Sequence, residues 1–297
     1  MKQKLRSKAP LGATLIILSS LFYGSYGVWT KLMGDNFGSF SQVAIRSLLI
    51  VAILFPIAAA KRQLKPIQWR RDRKWFLLLL IACTLIGAPL YYATLIVGVG
   101  LSSTLFYAGF MLSMFLFGWV FNQEPYTKDK LISTLLGLLG IYLIFSPTHE
   151  QFSILALFAG LLSGVAAGLD LVVSQKLPYS PSQTTILTWS ASVVTCIPIA
   201  LFLKDKVPPI GTSWLYLILF SASALAASWF SISGVKKISA GAAGMLGLLE
   251  IVFGVIFGMI FFSERPGFVI MMGISIIIIA AAIPYMKEYR QKNHLQT

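Results

Sequence analysis

Ten apolar windows of roughly 20 residues, separated by short connections, constrain this chain more than any other feature of its sequence. About 20 residues of helix are needed to cross the ~30 Å hydrocarbon core of a bilayer. The windows are 11–33, 39–60, 75–97, 101–121, 128–146, 152–175, 183–203, 213–235, 240–262 and 267–286. With 57% hydrophobic and 11% charged residues in 297, and a mean hydropathy of +0.80, the chain has far too much apolar surface for one water-soluble core. Lipid must take the place of that core, which predicts an all-α polytopic membrane protein. A soluble enzyme, a nucleic-acid binder and a disordered chain are excluded.

The net charge of +14 agrees with this reading, because basic residues mark the cytoplasmic ends of membrane helices. With the N-terminus inside, nineteen Lys and Arg fall in inside segments and three, Lys204, Lys206 and Arg265, in outside loops. Lys31 and Arg46 remain within helices. The bias predicts an inner-membrane protein with both termini cytoplasmic. The N-terminal basic stretch from Met1 to Lys8 imitates a signal peptide, but its apolar run continues to Met33 without a small-residue cleavage site, so it reads as a retained first helix. Ser146-Pro147, Pro208-Pro209-Ile210-Gly211 and Ser180-Pro181 mark stops, the last as a cap followed by a first helical proline. Cys83 and Cys196 lie in apolar runs and read as buried small residues, with no disulfide framework or zinc site.

The chain also reads as duplicated. Pro56-Ile57-Ala58 matches Pro198-Ile199-Ala200; Gly118, Glu124 and Pro125 match Gly258, Glu264 and Pro266; Lys31 matches Lys176. Five helices per unit is odd, so the second unit, 148–297, must be inverted relative to the first, 1–147. That is the plan of secondary transporters, whose site lies near the midplane between the halves.

The residues carry a family resemblance over nearly the whole length. Ala240-Gly241-Ala242-Ala243-Gly244-Met245-Leu246-Gly247-Leu248-Leu249-Glu250, continuing to Phe262-Ser263-Glu264-Arg265, resembles the EamA-type branch of the drug/metabolite transporter superfamily in its small-residue start, "LLE" and "GER" pattern. Phe121-Asn122-Gln123-Glu124-Pro125, Ala44-Ile45-Arg46 and Trp29-Thr30-Lys31 are similar to the corresponding parts of that family. Two positions depart from it: Ile251 replaces a proline, and Phe110 stands where the first half would carry an acid. The resemblance implies a carrier of amino acids, other metabolites or drugs.

Ionisable residues at membrane depth cost roughly 3 kcal/mol or more and need a partner or a purpose. Lys31, Arg46, Asp170 and Glu250 qualify. Lys31 is near enough to the interface to snorkel. Arg46 either pairs with a carboxylate or holds an anionic substrate group. Glu250 is too deep to snorkel; it loads and releases a proton, holds a substrate ammonium, or is fixed by Arg46 or Lys31. Asp170 is a gate residue, a partner for basic termini, or interfacial. Glu124 and Glu264 sit at helix ends, where a structural role is expected. Trp69, Trp75 and Trp214 are expected in packing or interface belts, whereas Tyr23, Tyr26, Tyr91, Tyr92, Phe106, Tyr107, Trp229 and Phe230 lie beside deeper small residues and are candidates to line a cavity.

Gly160, Gly164 and Gly168 recur every four residues, a spacing that permits close helix contact. Pro56, Pro89 and Pro198 are potential bends. Gly98-Val99-Gly100 lacks the context of a phosphate loop. His149 and His294 lie outside the apolar windows.

The sequence thus predicts a ten-helix exporter of a small organic metabolite, an amino acid or related compound, working by alternating access. No cofactor, metal, nucleic-acid partner or catalytic residue is expected. The lipid bilayer and a small-molecule substrate are the expected partners; proton coupling, and monomer against homodimer, stay open. The competing readings are an uncoupled facilitator, a non-transporting scaffold and, more distantly, an intramembrane enzyme or a channel. An enzyme would need convergent nucleophiles, a metal or catalytic loops, but the longest loop, 61–74, holds seven basic residues and one acid, Asp72.

Overall fold

The computed structural model of the chain describes residues 9–125, 127–145 and 153–293. The stretch 1–8, the Ser146-Pro147 stop, the 147/148 boundary, His149 and His294 lie outside the described residues. Among the described residues every regular element is a helix: α1 (Ala9–Gly24), α2 (Tyr26–Met33), a short 3-10 turn (Gly34–Asn36), α3 (Ser39–Ala60), α4 (Trp69–Asn122), α5 (Lys128–Ile144), α6 (Ile154–Lys176), α7 (Pro181–Phe202), α8 (Thr212–Val235), α9 (Ala240–Gly247), α10 (Leu249–Phe262) and α11 (Phe268–Asn293).

Eight of the ten windows correspond to helices long and apolar enough to cross a membrane. The other two are shorter: α5 has 17 residues, and the apolar part of α11 is Phe268–Pro284. At 1.5 Å per residue such a helix reaches only about 26 Å, less than the ~30 Å of a typical hydrocarbon core. The 54 residues of α4 hold two spans, Trp69–Val97 and Leu101–Asn122. Thr94 Oγ1 lies 3.0 Å from Ser102 Oγ, although eight residues of straight helix would separate them by about 12 Å. The helix therefore cannot be straight between Thr94 and Ser102, the stretch that joins the two spans.

The termination signals act as their chemistry dictates. Ser180 Oγ accepts from Gln183 N at 3.1 Å with Pro181 as the first residue of α7, and Ser153 and Ser239 cap α6 and α9 in the same way. The helices pair as α4 with α6, α5 with α11, α3 with α7, and α1 with both α8 and α10. Loops gather at two ends. At the basic end, Gln183 bonds the Lys65 backbone through both its Oε1 (2.9 Å) and Nε2 (2.7 Å). At the far end, Asp205 accepts from Phe40 N and Ser41 N, each at 2.8 Å, and Lys206 Nζ donates to Asp35 O at 3.1 Å.

The glycine stripe of α6 seats it on the second span of α4. A Cβ on Gly164 would fall on the carbonyl oxygen of Phe106 and lie 2.8 Å from Phe110 N, and one on Gly109 would meet the backbone of Leu161. These are backbone atoms, so neither helix can yield locally. Gly164→Ala should therefore lower the detergent melting midpoint by the equivalent of about 1–3 kcal/mol of overpacking. Gly27→Ala, where a Cβ meets nothing within 4 Å, should leave it unchanged. A Gly164→Ala protein that melts with wild type would show the two helices are not locked by this contact.

Candidate functional site

Two adjoining cavities of about 570 and 420 Å³ lie between the helices and share Tyr23, Tyr26, Arg46 and Asp170 in their walls. The larger extends to Thr30, Ser39 and Phe40 at the far end; the smaller reaches Tyr107 and Glu250. Eight of the twelve ionisable and aromatic candidates thus meet in one place, among them Arg46 from α3, Asp170 from α6, Glu250 from α10, Tyr26 from α2 and Tyr107 from α4.

Tyr92 and Trp229 are not among the lining residues. Tyr91 lines the larger cavity, and Tyr92 points about 100° further round the same helix. The Trp229 indole is turned to α7, donating to Ser182 Oγ at 3.1 Å. Trp189 takes a place in the cavity wall that the sequence gave no reason to assign; its Nε1 donates to Ser228 Oγ at 2.9 Å.

Glu250 is positioned by a broken helix. The chain turns at Leu248 between α9 and α10, against Ser20 of α1, whose single hydroxyl proton is shared among Ile16 O of its own helix (3.0 Å), Leu246 O (3.2 Å) and Gly247 O (3.4 Å). Glu250 follows in the first turn of α10, where the helix dipole favours negative charge. Gly24 lets the α1 backbone close on this turn, since a Cβ there would lie 2.9 Å from Glu250 O. The carboxylate accepts from Tyr107 Oη at 3.1 Å, and Tyr107 is backed by Phe145 and Phe106. Neither Arg46 nor Lys31 stands within ion-pair distance of it; Lys31 pairs instead with Glu264 at 3.0 Å, both side chains about half exposed.

Arg46 is the more unusual group. It is 7% exposed and ringed by Phe220, Tyr26 and Trp189, with its guanidinium carbon 4.1, 5.4 and 5.6 Å from their ring centroids. The three rings give it cation–π contact, while Nε and Nη1 are buried without a hydrogen-bond partner. Tyr26 Oη, Gln42 Oε1, Thr188 Oγ1 and Asp170 Oδ1, all belonging to residues of the same cavity walls, are likewise buried and unpartnered. Each such neutral group costs about 1–3 kcal/mol and a charged one more. Six of the eight buried, unpartnered side-chain atoms among the described residues belong to the walls of this cavity. Among the described residues, no group of three or more His, Cys, Asp or Glu is placed to hold a metal ion.

The basic end is shut. Asn122 Nδ2 donates to Gln175 Oε1, whose Nε2 reaches Val235 O (2.7 Å) and Ile238 O (3.1 Å). Lys236 Nζ donates to Leu177 O at 2.7 Å, and burial together with neighbouring Lys237 pushes its ammonium down to about 8.

An all-helical chain with membrane-length helices around a cavity lined by ionisable groups is a multi-pass membrane protein of the carrier class. The profile of the EamA-like transporter family matches residues 10–146 and 154–286, and the chain belongs to that family. An uncharacterized transporter of Helicobacter pylori (strain ATCC 700392 / 26695) is 22% identical over 86% of this chain and 88% of its own length. Solute carrier family 35 member G1 of Mus musculus is 27% identical over 51% of this chain and 45% of its own, and a riboflavin transporter of Brucella anthropi is 25% identical over 57% and 61%. A solved crystal structure, 15% identical, covers 94% of this chain and 98% of its own with a TM-score of 0.77, which shows a shared fold. These findings make the chain a membrane transporter.

Proposed function

We propose that the chain is a secondary transporter of the cell (inner) membrane, with ten spans in two inverted five-helix units, 1–147 and 148–297, and both termini cytoplasmic. It exports a small organic metabolite, an amino acid or related compound, by alternating access. Glu250 couples the movement to protons. The observation that carries this reading is Arg46, with Nε and Nη1 unpartnered, sharing one cavity system with two carboxyls, Asp170 and Glu250. One cation facing two acids suits a solute with one anionic and one cationic group.

Two features support the inverted repeat. Segments two and seven (α3, α7) pair with each other, as do five and ten (α5, α11), while the contact of segment one with eight (α1, α8) mirrors that of six with three, where Ser163 Oγ of α6 donates to Ile86 O in the first span of α4. Exchanging the halves leaves this set unchanged. The helix ends at Glu124 and Glu264 also share one geometry, described below.

The test is uptake and counterflow in proteoliposomes, with a pool of amino acids and metabolites read by mass spectrometry, with and without a pH gradient. Riboflavin, named for the Brucella relative, belongs in the pool as an uncharged aromatic solute. Saturable, gradient-driven accumulation of an amino-carboxylate is expected. Saturable exchange indifferent to the pH gradient would mean a facilitator, and contents matching empty vesicles would favour a scaffold.

A further inference from the structure

The two ends of the molecule hold one structural device in two different conditions. At the basic end α4 closes with left-handed Gln123 (φ 54°, ψ 34°), and Glu124 N donates back to Gly118 O at 3.2 Å. At the far end α10 closes with left-handed Ser263 (φ 54°, ψ 29°), and Glu264 N donates back to Gly258 O at 3.2 Å. In both, the glycine leaves room for the glutamate to fold against its own helix: a Cβ on Gly118 would lie 3.2 Å from Glu124 Oε2, and one on Gly258 would meet the Glu264 carboxylate.

The carboxylates, however, do different things. Glu124, only 12% exposed, crosses to the other half of the chain. Its Oε1 accepts from Ala240 N at 2.6 Å, and its Oε2 from Gly241 N at 3.3 Å and from Lys130 Nζ at 3.2 Å. These are the first N–H groups of α9, which no residue within the helix can satisfy; Ser239 Oγ takes the next usable one, Ala242 N, at 3.2 Å. Glu264 holds no helix start. It meets Lys31 in an exposed pair of the kind that contributes little.

We infer that Glu124 is the latch of the transport cycle: its carboxylate pins the start of α9 to the end of α4 and so holds the cavity shut at the basic end. The inference rests on the alternating-access reading above. The cavity walls include Thr30 and Ser39 at the far end, and neither Glu124 nor Gln175 is among them. For access to pass to the basic end, α9 must part from α4, and the Ala240 and Gly241 N–H groups must exchange the carboxylate for water. A Cβ built on Gly118 would lie 3.1 Å from Ala240 Cβ, so the glycine lets the start of α9 sit close against the end of α4. Glu124 acts as a positioning residue. It does not touch the cargo; it sets how often each end is open. Release costs the protein a charge-assisted cap at the start of α9; at the far end Glu264 makes no such cap, and the carboxylate that caps a helix there, Asp205, holds α3 rather than the end of α10.

The experiment uses the full chain in liposomes, with Cys83 and Cys196 replaced by alanine and one of two reporters introduced. Ser174→Cys is fully buried beside Gln175, and Thr30→Cys lines the far-end approach. Glu124→Gln should raise the maleimide labelling rate of Ser174→Cys about tenfold, equivalent to about 1.4 kcal/mol, and lower that of Thr30→Cys. Glu124→Asp, which keeps the charge on a shorter arm, should shift both in the same directions by less, and it serves if the glutamine variant does not fold. Unchanged rates at both reporters, or a rise at both as general loosening would give, would overturn the latch. Labelling needs no flux, so a protein that shows opposed shifts without carrying any solute would keep the latch and lose the transport reading.

Discussion

Glu250→Gln should abolish accumulation driven by a pH gradient while leaving the protein folded. A one-unit gradient supplies ~1.4 kcal/mol per proton, enough to accumulate a solute about tenfold if each cycle moves one proton. Wild type should approach that ratio and the variant should stay at one. Glutamine has nearly the same shape and can still accept from Tyr107 Oη, which lies 3.1 Å from the carboxylate, so the turn after Leu248 and its Ser20 support should persist. What the variant loses is a site that alternates between charged and neutral. In the structure that site has one hydroxyl donor and no cation within ion-pair distance, so a proton or a cationic cargo is the compensation open to it. Saturable exchange in the absence of a gradient should survive in the variant. The measurement is the steady-state ratio of solute inside to outside in paired vesicles. A variant that still accumulates tenfold would remove Glu250 from the coupling.

How far this site could be read from the sequence depends on what kind of signal each residue carries. Arg46, Asp170 and Glu250 stand out because a charge inside an apolar window has few structural uses, and all three line the cavities. Gln42 carries a weaker form of the same signal: it lies four residues before Arg46, on the same helical face, and joins it in the cavity wall. Thr188 and Trp189 gave none, because they reach the site through the pairing of α3 with α7, which no local pattern encodes. Tyr91 and Tyr92 show a different limit. A helix wrapped in lipid is apolar all round, so its sequence does not mark which face turns inward.

The fold divides along similar lines. Window lengths and the Ser180-Pro181 pair locate helices because bilayer thickness and capping chemistry act locally. The turn at Leu248 lies against Ser20 of another helix, a contact that no local pattern encodes. The sequence also places Glu124 and Glu264 in equivalent positions, and both form the same turn. Their partners differ because one meets a helix start and the other meets Lys31.

Arg46→Met should separate cargo recognition from stability. A guanidinium that is 7% exposed, bonded to nothing through Nε and Nη1 and faced by three aromatic rings is costly to keep. Exchanging a buried charge for an apolar side chain of similar length is neutral or stabilising in comparable settings, so the melting midpoint should hold or rise. For a cargo held through its carboxylate the same change removes charge-assisted hydrogen bonds worth about 1.5–3 kcal/mol each. The half-saturating concentration should therefore climb by at least about tenfold for one bond and roughly a hundredfold for two. Arg46→Lys should recover only part of this loss, because an ammonium is a point charge that cannot form the paired fork. The sharper comparison is chemical. The decarboxylated analogue of the cargo has nothing to offer the guanidinium, so its weak interaction with the protein should be the same in wild type and Arg46→Met. If both compounds weaken together, Arg46 supports the cavity without reading the cargo. If neither does and the midpoint falls, the three rings and the charge form a structural unit, and the anionic end of the cargo must be sought elsewhere in the wall.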